Sequence, residues 1–393
     1  MKYPEYISEI ISRLESAGEE AYVVGGSVRD SLLGIKANDF DIATSALPQK
    51  TIALFSDKRV IETGLKHGTV TVIADGEPVE ITTFRVDGSY TDSRHPDAVR
   101  FTGRIEEDLS RRDFTVNAMA FNETRGLVDV FGGRADLEAR IIRAVREPSL
   151  RFSEDALRIM RAFRFSAQLG FDIEEATLRG AKEMCAGLGF IARERICVEF
   201  VKLLCSPSPK NAVLKMIECG VLPYVTGDIV PRERALDALS DMPATDIARL
   251  GTFFSGYSQN DIRKVLNSLK CSGKQITGTL AVARGALMRV DSPTASTALI
   301  AAVGEYAPLA ARASYLLGNS PKNAEALVAA NRAPSKISEL DIGGRDIIAL
   351  GAWGTEIGRV LDALLKMAMN DPDLNKKEKL TQIAKGIINE SRT

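Results

Sequence analysis

Residues 21–44 read AYVVGGSVRDSLLGIKANDFDIAT, and the type of fold turns on them. AYVVG (21–25) is a run of strand formers ending in glycine, and SVRDSLLG (27–34) predicts a short helix closed by Gly34. DFDIAT (39–44) returns to strand. Gly25, Gly26 and Ser27 fall at the strand-to-helix junction. Glycine there lets the backbone approach a ligand, and a helix start offers free N–H groups to a phosphate. Arg29, one turn in, adds a cation. Asp39 and Asp41 are two residues apart, so on a strand they face one side, about 6–7 Å apart at the backbone. Two such carboxylates can converge on divalent cations about 3.5–4 Å apart. A tight turn and a solvent-facing acidic edge explain either feature alone. Together, at this spacing, they argue for a phosphate site beside a divalent cation.

The surrounding sequence fits that frame. Pro48 opens a helix at a position it tolerates. TVTVIA (69–74) and VEITTF (79–84) alternate apolar and polar residues about Asp75-Gly76, a hairpin signal. Glu80 on the second strand is the natural third acid for a metal clamp. RVDGSYTDSRHPDA (85–98) is polar and reads as a mobile loop. No Walker A motif and no strand-following GxGxxG occurs, so kinase-like, ATPase and dinucleotide readings lose support.

Composition narrows the chemistry. At 393 residues the chain exceeds one ordinary core, and 45% hydrophobic with 26% charged residues is globular. No apolar run approaches the roughly 20 residues of a membrane span. The first 20 residues read as an amphipathic helix rather than a signal peptide, so a cytoplasmic address is expected. Five cysteines without a CxxC pair read as core thiols. Only His67 and His95 occur, which excludes a His-rich hydrolytic metal site; both read as positional. A catalytic metal must then be held by oxygen, pointing to Mg²⁺ or Mn²⁺. Net charge is −1, yet from Arg85 through Arg164 every long cation is arginine. The planar guanidinium fork suits phosphates and base edges better than the lysine point charge.

From about Ser153 the periodicity becomes helical and stays so. SEDALRIMRAFRFSAQLG (153–170) predicts a helix with a serine N-cap and a glycine stop. Ala156, Ile159, Met160, Phe163 and Ala167 give it one apolar face; Glu154, Arg158, Arg161 and Phe165 lie roughly opposite. Further helices are expected at 174–186, 193–204, 209–219 and through much of 231–393. The fold class is α+β, a mixed sheet with helices in the N-terminal head, followed by an all-α C-terminal part. The expected domains are a head (1–150), a helical neck (151–220) and a helical body and tail (221–393).

GG[ST] followed at this distance by DxD resembles the polymerase-β type nucleotidyltransferases. Read further, the chain resembles the class II tRNA nucleotidyltransferase and bacterial poly(A) polymerase family. GGSVRD (25–30) with DFD (39–41), then RRDFTVNAMA (111–120), DVFGGRADL (129–137) with IIRAV (141–145), EDALRIMRAFRF (154–165) and RERICVEF (193–200) follow its motif order. DIGGRDIIALG near 341 resembles its C-terminal part more weakly.

The resemblance implies a head that adds CMP, CMP and AMP from CTP and ATP to tRNA without a template, using Mg²⁺. Asp39 and Asp41 would hold the metal. Gly25, Gly26, Arg29 and Arg112 would contact the nucleotide, mainly its phosphates, and Asp113 would reach the ribose. Asp155 and Arg158 would read the base in a pocket shared with Arg161 and Arg164. Chemistry supports that last role independently. Cytosine and adenine both present an amine beside a ring-nitrogen acceptor, matching a carboxylate and a guanidinium, whereas guanine and uracil present the opposite polarity. Ordered addition needs a moving part, for which the loop 85–98, with Asp92 and Arg94, and a hinge at Gly132-Gly133 are candidates. Tyr90, Asp92 and Arg94 favour CCA over CC-only addition. CC-only, A-only and poly(A) enzymes of the family are the near alternatives, a non-catalytic RNA-binding protein the distant one. The sequence is silent on oligomeric state.

Overall fold

The computed structural model describes residues 2–37, 39–88 and 99–390. Tyr90, Asp92, Arg94 and His95 lie outside them. Contacts divide the chain into two compact units, Met1–Leu203 with Asn211–Gly227, and Leu204–Lys210 with Asp228–Thr393.

The first unit is built on a seven-stranded mixed sheet. Its strands are β1 (Ala21–Val24), β2 (Asp41–Thr44), β3 (Arg59–Ile61), β4 (Thr69–Ala74), β5 (Glu77–Thr83), β8 (Ala120–Asn122) and β9 (Gly126–Val128), in the order β3-β4-β5-β2-β1-β8-β9. A separate ribbon pairs β6 (Arg85–Asp87) with β7 (Val99–Phe101). Asp75 and Gly76, with φ of 54° and 82°, form the two-residue turn of the β4–β5 hairpin. Positive φ at both positions matches the right-handed twist of the strands. In β4 burial alternates as the sequence does: Val70, Val72 and Ala74 face inward. β2 pairs with β1 antiparallel and with β5 parallel, placing Asp41 opposite Glu80.

Helix α1 (Glu5–Ser16) buries Ile7, Ile10, Ile11 and Leu14, one face at helical spacing. α2 (Gly26–Leu32) follows β1, and α3 (Pro48–Leu54) has its proline in the first turn. α4 (Ile105–Ser110) covers the sheet through Ile105 and Leu109, which pack with Tyr22, Val24, Ala43, Phe84 and Ala120. α5 (Gly133–Ala139) opens at the glycine pair read as a hinge. There Asp129 accepts from the Gly133 and Arg134 amides at 2.7 and 2.9 Å. A Cβ on Gly133 would come within 2.3 Å of the Thr115 carbonyl. Gly133 therefore has a packing reason, while Gly132 has open space around it and a φ of +74°.

Two expectations are corrected. Asp39 precedes the strand, because β2 begins at Asp41. The carboxylates still share a side, since Asp39 and Asp41 are exposed and Phe40 between them is buried. The helix predicted from Ser153 is instead two: α6 (Pro148–Glu154) and α7 (Leu157–Leu169). Ser153 is not its cap; its hydroxyl donates back to the Leu150 carbonyl. The chain breaks at Asp155, which takes φ −143° and accepts from the Leu157 amide at 3.0 Å. Pro148 at the first turn of α6 starts a helix earlier than apolar periodicity alone suggested. α8 (Glu175–Met184), α9 (Arg193–Leu204), α10 (Pro209–Glu218) and α11 (Pro223–Thr226) follow.

The second unit is helical from Glu233–Ala238 to Lys377–Glu390. It has cores around Ala248, Val282 and Ala313, around Leu299, Ala310 and Ala324, and near its end around Ile347, Val360, Leu364 and Leu380.

Candidate active site

The first unit contains a cavity of about 660 Å³. Gly25, Gly26, Arg29, Asp39, Asp41, Arg112, Asp113, Asp155, Arg158, Arg161 and Arg164 all line it. Among the described residues assigned from sequence to the metal or the nucleotide, Glu80 is the one absent from this lining. β5 lies on the side of β2 away from β1 and sets Glu80 beside Asp41. Among the described residues no three His, Cys, Asp or Glu groups form a ready metal cluster. Asp39 and Asp41 are the pair that faces the cavity, with Glu80 next to Asp41 across the β2–β5 ladder.

Asp41 is electrostatically loaded. Protein packed around it pushes its carboxyl up although the side chain still reaches solvent, Glu80 pushes it further, Arg112 opposes, and Asp39 adds to the rise. A cation between Asp39 and Asp41 would relieve that crowding. Mg²⁺ is commonly bound by one or two carboxylates plus substrate phosphates, so this donor set suits it.

Gly25 ends β1 with φ +75° and ψ −131°, a conformation L side chains rarely adopt. A Cβ there would lie 3.0 Å from Arg112 Nη1. Glycine is needed both for the turn and to let the arginine pass. α2 starts at Gly26 with no side-chain cap on its first N–H groups.

The arginines are held individually. Arg29, buried, donates from Nη1 to Asn117 Oδ1 at 2.7 Å and from Nε to Asp30 at 2.8 Å. Arg161 forks onto Asp113 Oδ2 at 2.7 and 2.6 Å. Arg164 pairs with Glu199 at 2.5 Å and donates to Gln168 at 2.9 Å. Their guanidinium groups gather on the Phe165 ring, with Arg164 at 3.9 Å, Arg29 at 5.3 Å and Arg161 at 5.4 Å from its centroid. The ring's negative face offsets part of the mutual repulsion, at about 0.5–2 kcal/mol per contact.

Asp113 is an anchor. Its Oδ1 accepts from the Phe114 amide and Asn117, and its Oδ2 from Arg161. Burial pushes this carboxyl up, and Arg161 outweighs that, leaving it below the usual range. The ribose contact implied by the resemblance has to share oxygens already engaged in the fold.

Asp155 and Arg158 do not pair with each other. Asp155 Oδ2 accepts from Arg195 Nη2 at 3.2 Å. Arg158 donates to Glu154 at 2.6 Å and to the Arg151 and Arg111 carbonyls at 3.0 and 3.1 Å. A carboxylate has roughly four lone-pair positions, so Asp155 can still accept from a base amine.

Sequence reasoning did not single out Arg111, Asn117, Leu157, Gln168, Arg195 and Lys202, which also line the cavity. Signals existed for several of them. Arg111 and Asn117 lie inside RRDFTVNAMA and Arg195 inside RERICVEF, while Lys202 is two helical turns beyond Arg195. Of the arginine-only stretch, Arg111, Arg112, Arg158, Arg161 and Arg164 reach the cavity. Others, such as Arg134 with Glu138, decorate the surface.

A mixed-sheet head carrying two acids, a glycine turn and an arginine-lined recess defines a nucleotidyltransferase. Residues 21–143 match the Poly A polymerase head domain, and residues 170–229 the probable RNA- and SrmB-binding site of polymerase A. The chain belongs to the CCA-adding enzyme family. It is 39% identical over 386 residues to the CCA-adding enzyme of Limosilactobacillus fermentum, covering 95% of each chain. It is 37% identical to that of Pediococcus pentosaceus, covering 92% of each. The crystal structure of the Bacillus stearothermophilus CCA-adding enzyme in complex with CTP is similar at a TM-score of 0.81 and 32% identity, over 100% of this chain and 98% of that one. The Thermotoga maritima CCA-adding enzyme complexed with tRNA shares the fold, with a TM-score of 0.69 and 23% identity over 98% and 95%.

Proposed function

We propose that this chain builds the 3′ end of tRNA, transferring CMP twice and then AMP from CTP and ATP. The observation that carries the reading is one cavity lined by Asp39 and Asp41 together with Asp155 and Arg158. A nucleotide there can meet acids at its phosphates and a carboxylate–guanidinium pair at its base.

In the reaction the terminal ribose hydroxyl attacks the α-phosphorus, the new P–O bond forms, the hydroxyl proton leaves, and pyrophosphate departs. Asp39 and Asp41 would hold Mg²⁺, which when bound lowers the hydroxyl's pKa and offsets phosphate charge. Arg29 and Arg112 neutralise the triphosphate. Asp155 accepts from the exocyclic amine of C or A and Arg158 donates to the ring nitrogen, each good contact being worth about 1–3 kcal/mol of discrimination. Glu154 and two carbonyls hold Arg158 in one orientation, so the selecting edge is rigid. The second unit is assigned to gripping the body of the tRNA. No helix among the described residues is long and apolar enough to cross a membrane. The five cysteines, all among the described residues, form no disulfide, and we place the protein in the cytoplasm with its tRNA and nucleotide substrates.

The test is to supply a tRNA ending at the discriminator base with each NTP, singly and together, and to sequence the product. The expected end is CCA. A product stopped at CC, a lone A or a long A tail would select another member of the family. Unchanged activity in Asp39→Ala would overturn the metal assignment.

A further inference from the structure

Asp108 on α4 is fully buried, does not line the cavity and takes no part in the chemistry above. Its carboxylate nevertheless gathers two of the cavity's arginines. Oδ1 accepts from Arg111 Nε at 2.9 Å and pairs with Arg111 Nη2 at 2.8 Å; Oδ2 accepts from Arg112 Nη2 at 3.2 Å. Oδ1 also accepts from the Arg85 amide at 3.3 Å, at the start of β6. Burial alone would push the acid up, but Arg111 and Arg112 together hold it below the usual range, so it is ionised. Arg112 is confined on its other side by Gly25, and its buried Nε has no hydrogen-bond partner among the described residues. Its direction is therefore set by Asp108 and by the gap glycine leaves.

We propose that Asp108 is the positioning residue of the triphosphate site: it aims Arg112, with Arg111 beside it, at the outer phosphates of the incoming nucleotide. The inference rests on the functional reading above, in which Arg112 meets the triphosphate. A buried anion behind the two guanidinium groups fixes their planes before the nucleotide arrives, so less side-chain freedom is lost on binding. The free cavity also carries less unbalanced positive charge.

The test is calorimetric binding of CTP, CDP and CMP to the full-length protein and to Asp108→Asn. Asparagine keeps the shape and one acceptor but removes the charge and half of the paired geometry. Expected is a loss of about tenfold for CTP, less for CDP, and a change within about twofold for CMP, because only the outer phosphates depend on the aimed arginine. A merely structural role would weaken all three in parallel with a fall in Tm, and that result overturns the proposal, as does an unchanged CTP to CMP ratio. Should Asp108→Asn fail to fold, Arg112→Lys probes the same contact from the open side. It keeps the cation but loses the fork, and is expected to lower the CTP to CMP ratio likewise; a wild-type ratio in that variant overturns the proposal. A wild-type protein that binds none of the three nucleotides removes the functional reading and this inference together. One that binds CTP well while both variants keep its ratio removes only the inference.

Discussion

Gly25 shows how little freedom a single residue has at this site. Its backbone conformation is one that side chains avoid, and its missing Cβ leaves room for Arg112 Nη1. Gly25→Ala is expected to cost about 1–3 kcal/mol in backbone strain and to push the arginine aside. Denaturant unfolding would show the first loss, and a raised KM for CTP and ATP the second. At Asp41 the question is electrostatic. Its pKa is raised when no cation is bound, and in the proposed role of holding Mg²⁺ it must be ionised, so protons compete with the cation and activity is expected to fall as pH drops. Glu80 is one cause of the rise, so Glu80→Gln lowers the Asp41 pKa and moves the acid limb of the kcat/KM profile to lower pH. Asp41→Ala, by contrast, is expected to remove activity at every pH. If Glu80→Gln also removed it, Glu80 would be a metal ligand after all.

Among the elements, the junction of α6 and α7 matters most. The spacing predicts one amphipathic helix from Ser153, because serine is a good N-cap and the apolar face from Ala156 onward follows at helical period. Neither periodicity nor the serine signal reports that Asp155 leaves helical conformation to accept from the Leu157 amide and meet Arg195 on α9. That partner is 40 residues away and only tertiary packing brings it near. The clamp between Asp113 and Arg161 ties α7 to the segment after α4 in the same manner. Asp113 has a folded pKa below its unfolded value of about 3.9, so its contribution is complete above that value and is lost as pH falls toward the folded pKa. Asp113→Asn should lower stability by about 1–3 kcal/mol near neutrality. Its stability curve should also be flatter than that of the wild type below about pH 4. Urea midpoints measured across pH 3–7 would show both, and parallel curves would contradict the clamp.

Across the whole molecule, the cavity lies within the first compact unit, while the second is helical with cores of its own. If the second unit grips tRNA, losing a contact there changes KM for tRNA and leaves KM for CTP alone. Trp353, 80% exposed, is a side chain whose removal should not harm folding. Trp353→Ala is expected to raise KM for tRNA about fivefold or more, the scale of one lost base-stacking contact. Equal shifts in both constants would argue against a separate RNA grip.

The sequence by itself determined the mixed sheet, the hairpin about Asp75-Gly76, the helical remainder and the acids and arginines of the site. These follow from side-chain period, turn chemistry and ordered motifs, all of which are local along the chain. Tertiary structure alone decided that Glu80 is set beside Asp41 by the β2–β5 pairing, that Asp155 leaves the helix to meet Arg195, and that Arg161 on α7 clamps Asp113. Each of those depends on which strand lies beside which and on partners distant in sequence, and no local pattern encodes that.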